Sequence, residues 1–270
     1  MDENELIYSA NDLYQALTEI GIQTTDSILI QADIQAFGII PGKEQSIVTA
    51  LKKVVAQGNI VSPAFSLQLQ DPSEHYEAGL ADKIKAQMPA YDPQLTPAGG
   101  ASAFSEYFRS QPNTSRDNHP LYSFAAWGKD KEKICTDHSY DLPFGQTGVL
   151  GRLYDLNSKV VLLGTNFETC VAIHFAESEI GRELVQESAP IMVGTEKRWI
   201  KFNNVEFDKY DDFEDLGTHF LQAYPVNIAN LPAGQILVFN LRDIVSFARD
   251  WFEQKDRAHQ LNAGWKGPVA

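Results

Sequence analysis

The stretch TCVAIHFAES, residues 169–178, sets His174 and Glu177 in a run that is otherwise apolar. A histidine titrates near neutrality and can take a proton from a substrate. A carboxylate three residues further along a helix can reach the ring, fix its tautomer and leave the other nitrogen as the base. The competing reading is a core histidine with a satisfied ring. Cys170 lies four residues before His174, near a helix start where a thiolate is favoured, so a Cys-His nucleophile stands beside the plainer reading of a buried free thiol. Asp92, in PAYDP, is either an anion aimed at a cationic ligand or a turn residue before proline. His119, in RDNHPLYS, is a second base, a ligand contact or a pre-proline turn.

Several chemistries are disfavoured. Phosphate-loop and dinucleotide fingerprints are absent, and GVLGRL at 148–153 is too short and too apolar to stand for either. Cys135 and Cys170 form no CxxC pair and no HExxH occurs, so zinc is not expected and both thiols should be free and reduced. The formal net charge of −14, from 36 acids against 22 bases, argues against a nucleic-acid or anionic-membrane partner and would attract a cation. The opening MDENELIYSANDLY has acids where a secretory or transit peptide would have a basic end. No apolar stretch approaches the roughly 20 residues that cross a bilayer, and the expected location is the cytosol.

The elements that must position these residues alternate as in an α/β chain. Residues 10–20 read as a helix and 27–33 as a strand. A helix follows with Ile47, Val48, Leu51, Val54 and Val55 on one stripe, then extended structure over 60–66, so the first 66 residues read as a β-α-β unit. Residues 67–100 are irregular apart from a short helix around 78–88, as befits a functional segment. Beyond them come a helix over 101–112, a strand over 120–128, a helix in KDKEKICTDH and a fully apolar strand over 158–165. That strand leads into a helix with Thr169 as N-cap and Cys170, Val171, His174, Glu177, Ser178 and Gly181 on one face. A hairpin around Gly194, a helix ending near Tyr224, a strand over 234–240 and a last helix complete the chain, with a loose tail expected after about 256.

Two longer blocks resemble a known family. PAYDPQLTPAGGASAFSEYFRSQPNTSRDNHPLYSFAAWG (89–128) and LPFGQTGVLGRLYDLNSKVVLLGTNFETCVAIHFAE (142–177) are similar, in family order, to the signature blocks of the aminoglycoside 3-N-acetyltransferases, above all their YokD-like branch. The similarity runs from about residue 10 to residue 253. It implies acetyl transfer from acetyl-CoA to an amine without a metal, on an α/β fold distinct from the GCN5 type. With the α/β pattern, the expectation is a single large domain over 1–270 with a central mixed sheet flanked by helices. The family's catalytic histidine matches His174 in HFAE and the acid beside it matches Glu177. A second acid from the later acidic segment would be Glu206 or Asp208. The strand end lining the coenzyme pocket corresponds to Ser62, Ala64, Phe65 and Ser66, and the SxHPxxS element, loosely, to Ser115, His119, Pro120 and Ser123. Asp92 matches the acid that faces the amino sugar.

The departures cluster at the reaction centre. Where the family's first strand ends in VHSS this chain has IQAD, so Gln31, Ala32 and Asp33 occupy coenzyme-side positions without the imidazole and hydroxyls. Val171 and Ala64 each replace a threonine. A donor aimed at a developing oxyanion is worth roughly 3 kcal/mol, so a backbone N–H or the Gln31 amide would have to substitute, or the chemistry has changed. The expected function is therefore an acetyl-CoA-dependent N-acetyltransferase of an aminoglycoside or similar polycationic amine. The alternative is a protein of the same fold that binds coenzyme A or a cation with little turnover. The expected partners are coenzyme A and a small-molecule amine, with no nucleic acid or membrane and with a homodimer as one open arrangement.

Overall fold

Ser9 opens the first helix, α1 (Ala10–Glu19), with a capping box: its hydroxyl accepts the Asp12 N–H while the Asp12 carboxylate accepts the Ser9 N–H. The computed structural model describes residues 7–100, 102–207, 212–231 and 234–264, with side chains to residue 258. Leu13 and Leu17 of α1 are buried beside α2 (Glu44–Val54), whose buried stripe Ile47, Val48, Leu51 and Val54 is the one the spacing predicts. Between them run β1 (Ser27–Ala32) and, after α2, β2 (Asn59–Pro63), parallel neighbours with Ser27 opposite Asn59. The expected β-α-β unit is present.

The remaining elements are α3 (Ala78–Gln87), α4 (Ala103–Arg109), β3 (Thr114–Arg116), β4 (Phe124–Gly128), α5 (Lys131–Cys135), α6 (Val149–Asp155) and β5 (Lys159–Leu163). These are followed by α7 (Ile173–Glu179), β6 (Leu184–Val193), β7 (Glu196–Val205), α8 (Phe213–Ala223), β8 (Asn227–Leu231), β9 (Gly234–Asn240) and α9 (Leu241–Gly264). Among the described residues the main sheet runs β3-β4-β2-β1-β5-β9-β8. Its centre, β2-β1-β5, is parallel, and β4, β3, β9 and β8 add antiparallel edges, so the sheet is mixed as expected. β6 and β7 form a separate ten-pair hairpin turning at Gly194, whose φ of 61° suits glycine.

Strand alternation divides the core into two layers. Ile28, Ile30, Ile60, Val161 and Leu163 face the α1, α2 and α4 side with Phe104 and Phe108. Leu29, Val61, Val160 and Leu162 face the α6 to α9 side with Phe167, Phe220 and Phe252. The central strands are covered on both faces, which is why they read as unbroken apolar runs.

Four local differences from the sequence reading have physical causes. α7 begins at Ile173 with Ala172 as N-cap, because Thr169 ends a 3-10 turn over Phe167–Thr169 and Cys170 is non-helical (φ −71°, ψ 88°). Gly181 therefore lies beyond α7. β3 and β8 were not legible: β3 has only three residues, and β8 is a five-residue, largely exposed edge strand paired along one side to β9. The closing helix continues to Gly264, past the expected start of a tail at about 256.

Candidate active site

β1 and β5 are parallel neighbours, and the chain leaving their carboxyl ends builds the site, the usual place for one on an α/β sheet. The two exits are stitched together where the Asp33 N–H donates to the Leu163 carbonyl at 2.9 Å. Gly164 follows with φ +69°, and a Cβ there would stand 2.3 Å from the Asp33 carbonyl oxygen. Glycine lets the two exits approach this closely. The Asp33 carboxylate accepts the Gln35 N–H and caps a short 3-10 turn over Ile34–Ala36. A cleft of about 1100 Å³ opens here, lined by Gln31, Asp33, Lys43, Phe65, Ser105, Thr169 and His174 among others.

His174 sits in the first turn of α7 and lines this cleft. Its Nδ1 is 2.6 Å from Glu177 Oε2, and Glu177 Oε1 accepts from Arg182 Nη1 at 2.7 Å. Arg182 in turn meets Asp256 of α9 at 3.3 Å and lies over the Phe252 ring. Glu177 and Arg182 side chains are 1% and 2% exposed, and such a buried carboxylate is tolerable because both its oxygens are occupied. With Glu177 ionised, Nδ1 is the protonated nitrogen and Nε2 holds the lone pair. No described residue hydrogen-bonds Nε2. The ring is held by Phe207, Phe144 and Phe213 at centroid distances of 4.4, 5.1 and 5.5 Å. A base with a fixed tautomer, a fixed plane and one nitrogen left to the cleft is an arrangement for proton abstraction.

The other sequence candidates separate into three groups. Gln31, Ala32, Asp33 and Phe65 line the cleft with His174. Ser62, Ala64, Ser66, His119 and Ser123 do not: all are fully buried behind its wall with their polar groups engaged. Ser62 Oγ pairs with Ser105 Oγ at 3.0 Å. The Ala64 carbonyl accepts from the Arg116 guanidinium and from Ser123 Oγ, and Ser66 Oγ accepts from Arg116 at 2.7 Å. His119 Nδ1 accepts the N–H groups of Leu121 and Tyr122 at 3.2 and 3.0 Å, and its Nε2 is 3.2 Å from the Tyr140 carbonyl. Burial, aided by the neighbouring His138, pushes its pKa down to about 3, so it is a neutral structural histidine. These five residues hold the wall rather than touch the space in front of it.

Asp92 also lies off the cleft lining. Its Oδ1 accepts the N–H groups of Gln94 and Leu95 at 2.7 and 2.9 Å, the turn role that competed with ligand binding. Glu206 is exposed, its backbone N–H bonds the Glu183 carbonyl, and it makes no hydrogen bond or ion pair with His174; Asp208 lies outside the described residues. Of the described acids considered as partners for the histidine, Glu177 is the one in contact. Cys170 is 1% exposed and burial raises its thiol to about 12, which removes the thiolate that a nucleophile needs. Sequence reasoning missed Arg182, which follows the end of α7, and the cleft residues Lys43, Ser105, Glu168 and Thr169. Only the Ser102 cap of α4, after Gly99-Gly100, left a local signal, since Ser102 Oγ accepts the Ser105 N–H and both serines line the cleft.

A model of the family described as aminoglycoside 3-N-acetyltransferase matches residues 29–253. The chain belongs to that family. A relative at 32% identity, covering 90% of this chain and 93% of its own length, is the SPbeta prophage-derived aminoglycoside N(3')-acetyltransferase-like protein YokD of Bacillus subtilis (strain 168). The crystal structure of YokD superposes with a TM-score of 0.87 at 30% identity, over 92% of this chain and 94% of its own. Aminoglycoside N(3)-acetyltransferase VIII of Streptomyces fradiae is 27% identical over 94% of this chain and 97% of its own. A structure of AAC-IIIb with CoASH superposes with a TM-score of 0.83 over 92% of this chain and 97% of its own, a likeness at 22% identity that shows the fold. Membership makes the protein an acyltransferase and bears out the expected mixed-sheet fold. Among the described residues no helix is long and apolar enough to cross a membrane, and no group of His, Cys, Asp and Glu is placed to hold a metal.

Proposed function

We propose that the protein transfers the acetyl group of acetyl-CoA to an amino group of an aminoglycoside or similar polycationic amine, with His174 as general base. The observation that carries the reading is the Arg182–Glu177–His174 relay, which ends in an imidazole nitrogen that no described residue engages, on the wall of a 1100 Å³ cleft. The amine nitrogen attacks the thioester carbon and its proton passes to His174 Nε2. Collapse of the tetrahedral species breaks the C–S bond, and the proton goes on to the thiolate, giving the amide and free coenzyme A. No protein nucleophile is needed, in keeping with a Cys170 that is buried and protonated. Family membership and the CoASH complex of AAC-IIIb support the donor; the names of the relatives support the acceptor class.

One observation favours a second reading. The Val171 N–H, a backbone donor at the mouth of α7, is taken by the Gln31 side chain at 3.0 Å, and the neighbouring Ala32 offers no hydroxyl. A strand exit whose backbone donor is already engaged fits a protein that binds coenzyme A and turns over little. Release of coenzyme A thiol from acetyl-CoA, with gentamicin-type and kanamycin-type acceptors and polyamines, separates the two. Amine-dependent release that falls at least about a hundredfold in His174→Ala is the expected result. Activity near wild type in that variant would overturn the general base. Background release from both proteins, with acetyl-CoA still raising Tm, would favour the binding protein.

A further inference from the structure

Gln31 occupies the next-to-last position of β1, half-buried, and lines the cleft together with His174. Its Oε1 is 3.0 Å from the Val171 nitrogen. A backbone N–H can only donate, so this bond decides which end of the amide is which: the carbonyl oxygen faces Val171 and the Nε2 group is the end left to the cleft. Val171 is also the residue whose carbonyl accepts the His174 N–H at 3.1 Å. Gln31 is thereby tied to the turn that presents the base, through one residue. No described residue accepts from Gln31 Nε2. Its two hydrogens are donors on the cleft wall, held in place because the other end of the amide is anchored. The lining residues next to it in chain and bond, Ala32 and Val171, carry no side-chain donor; the hydroxyls of the lining belong to Ser102, Ser105, Thr165 and Thr169, which bond one another or other protein groups.

We propose that Gln31 Nε2 is the oxyanion donor of this enzyme, hydrogen-bonding the carbonyl oxygen of the thioester and of the tetrahedral species that follows. The inference rests on the acetyl-transfer reading above. As the amine lone pair forms the new C–N bond, the carbonyl π pair moves onto oxygen and the amide hydrogens receive the charge. When that pair returns to carbon, the C–S bond breaks and the thiolate leaves with its electron pair, to be protonated from His174. Val171 thus serves as the anchor of this donor rather than as a donor itself.

Two substitutions divide the roles of the amide. Gln31→Glu keeps an acceptor for the Val171 N–H and removes the donor; Gln31→Met removes both. The readouts are kcat and KM for acetyl-CoA with an aminoglycoside acceptor, and the infrared carbonyl stretch of acetyl-CoA labelled with carbon-13 at the thioester carbon, bound without acceptor. The expected result is a fall in kcat of about a hundredfold in both variants. KM for acetyl-CoA should stay within about threefold, and the labelled band, shifted to low frequency by the wild type, should move back toward its free position. Gln31→Glu restoring both the rate and the band while Gln31→Met does not would assign Gln31 a purely positioning role and overturn the proposal. So would a band common to all three proteins. If the wild type transfers no acetyl group, the function reading fails, and the band still decides: a shift present in wild type and lost in Gln31→Met upholds the donor, and no difference overturns it.

Discussion

Glu177 is the residue on which the histidine depends. It is buried between Arg182 Nη1 at 2.7 Å and His174 Nδ1 at 2.6 Å, so its charge is shared between a permanent cation and the ring. Glu177→Gln keeps the volume but removes the acceptor that holds the tautomer and leaves Arg182 with Asp256 as its carboxylate partner. Steady-state kinetics should show kcat/KM reduced by about a hundredfold or more. Thermal unfolding should show a lower Tm, because breaking a buried ion pair from one side costs about 3–5 kcal/mol. Unchanged kcat in a stably folded variant would show that Glu177 does not orient the base. The i, i+3 spacing made this pair legible, since helix geometry converts that spacing into contact. Arg182 was not legible: it lies past the end of α7, where Ile180 leaves the helix in extended backbone, and regular helix spacing no longer says which side chains meet.

At the scale of elements, the site depends on two strand exits that approach within a hydrogen bond. Gly164 makes this possible, with φ +69° and with the Asp33 carbonyl and the Phe37 ring at 2.3 and 2.5 Å from where a Cβ would be. Gly164→Ala is expected to lower stability in urea by about 2 kcal/mol or more, from left-handed backbone and contact with main chain. It should also weaken acetyl-CoA binding, since the displaced segment carries Asp33 into the cleft wall; a variant with wild-type stability would refute the close-approach role. The strands and helices that form the two apolar layers could be read from periodicity, because burial on one or both faces writes itself into spacing. The start of α7 could not. Thr169 has the side chain of an N-cap, but it ends a 3-10 turn and non-helical Cys170 follows, so the helix begins three residues further on.

Across the whole molecule, charge and buried histidines set the response to solution conditions. The net charge of −14 favours encounter with a cationic acceptor. KM for an aminoglycoside should therefore rise when NaCl is raised from about 20 to about 300 mM, a range in which the Debye length falls well below 10 Å. A KM independent of salt would show that the field plays no part. Two buried neighbouring histidines are shifted in opposite directions. His138 lies 2.9 Å from the buried Asp117; burial works against its charge, the carboxylate outweighs it, and its pKa is raised. Its contribution is complete below its unfolded value and is lost as pH rises through the folded one. His119, with a pKa driven from 6.5 to about 3, refuses the proton that the unfolded chain takes up, so stability falls as pH drops from 6.5 toward 3. His119→Asn, which offers an oxygen to the Leu121 and Tyr122 N–H groups without titrating there, should lose less Tm between pH 7 and pH 4 than the wild type. Equal losses would remove His119 as the cause.

Local physics was written in the chain itself. The β-α-β opening, the apolar central strands, the His174–Glu177 pair and the family blocks all depend on neighbours within a few residues or on continuous motifs, so the sequence alone determined them. Tertiary structure decided everything that required distant segments to meet. Arg182 and Asp256 complete the relay across 74 residues, and Gln31 reaches Val171 across 140. Ser66 was drawn behind the wall by Arg116 across 50 residues, and Ser123 by the same guanidinium, whereas His119 takes the N–H groups of its own turn. Spacing along a chain specifies contact only where the local backbone is regular. Where side chains from separate elements converge, burial and hydrogen-bond satisfaction choose the partners, and those are properties of the packed molecule.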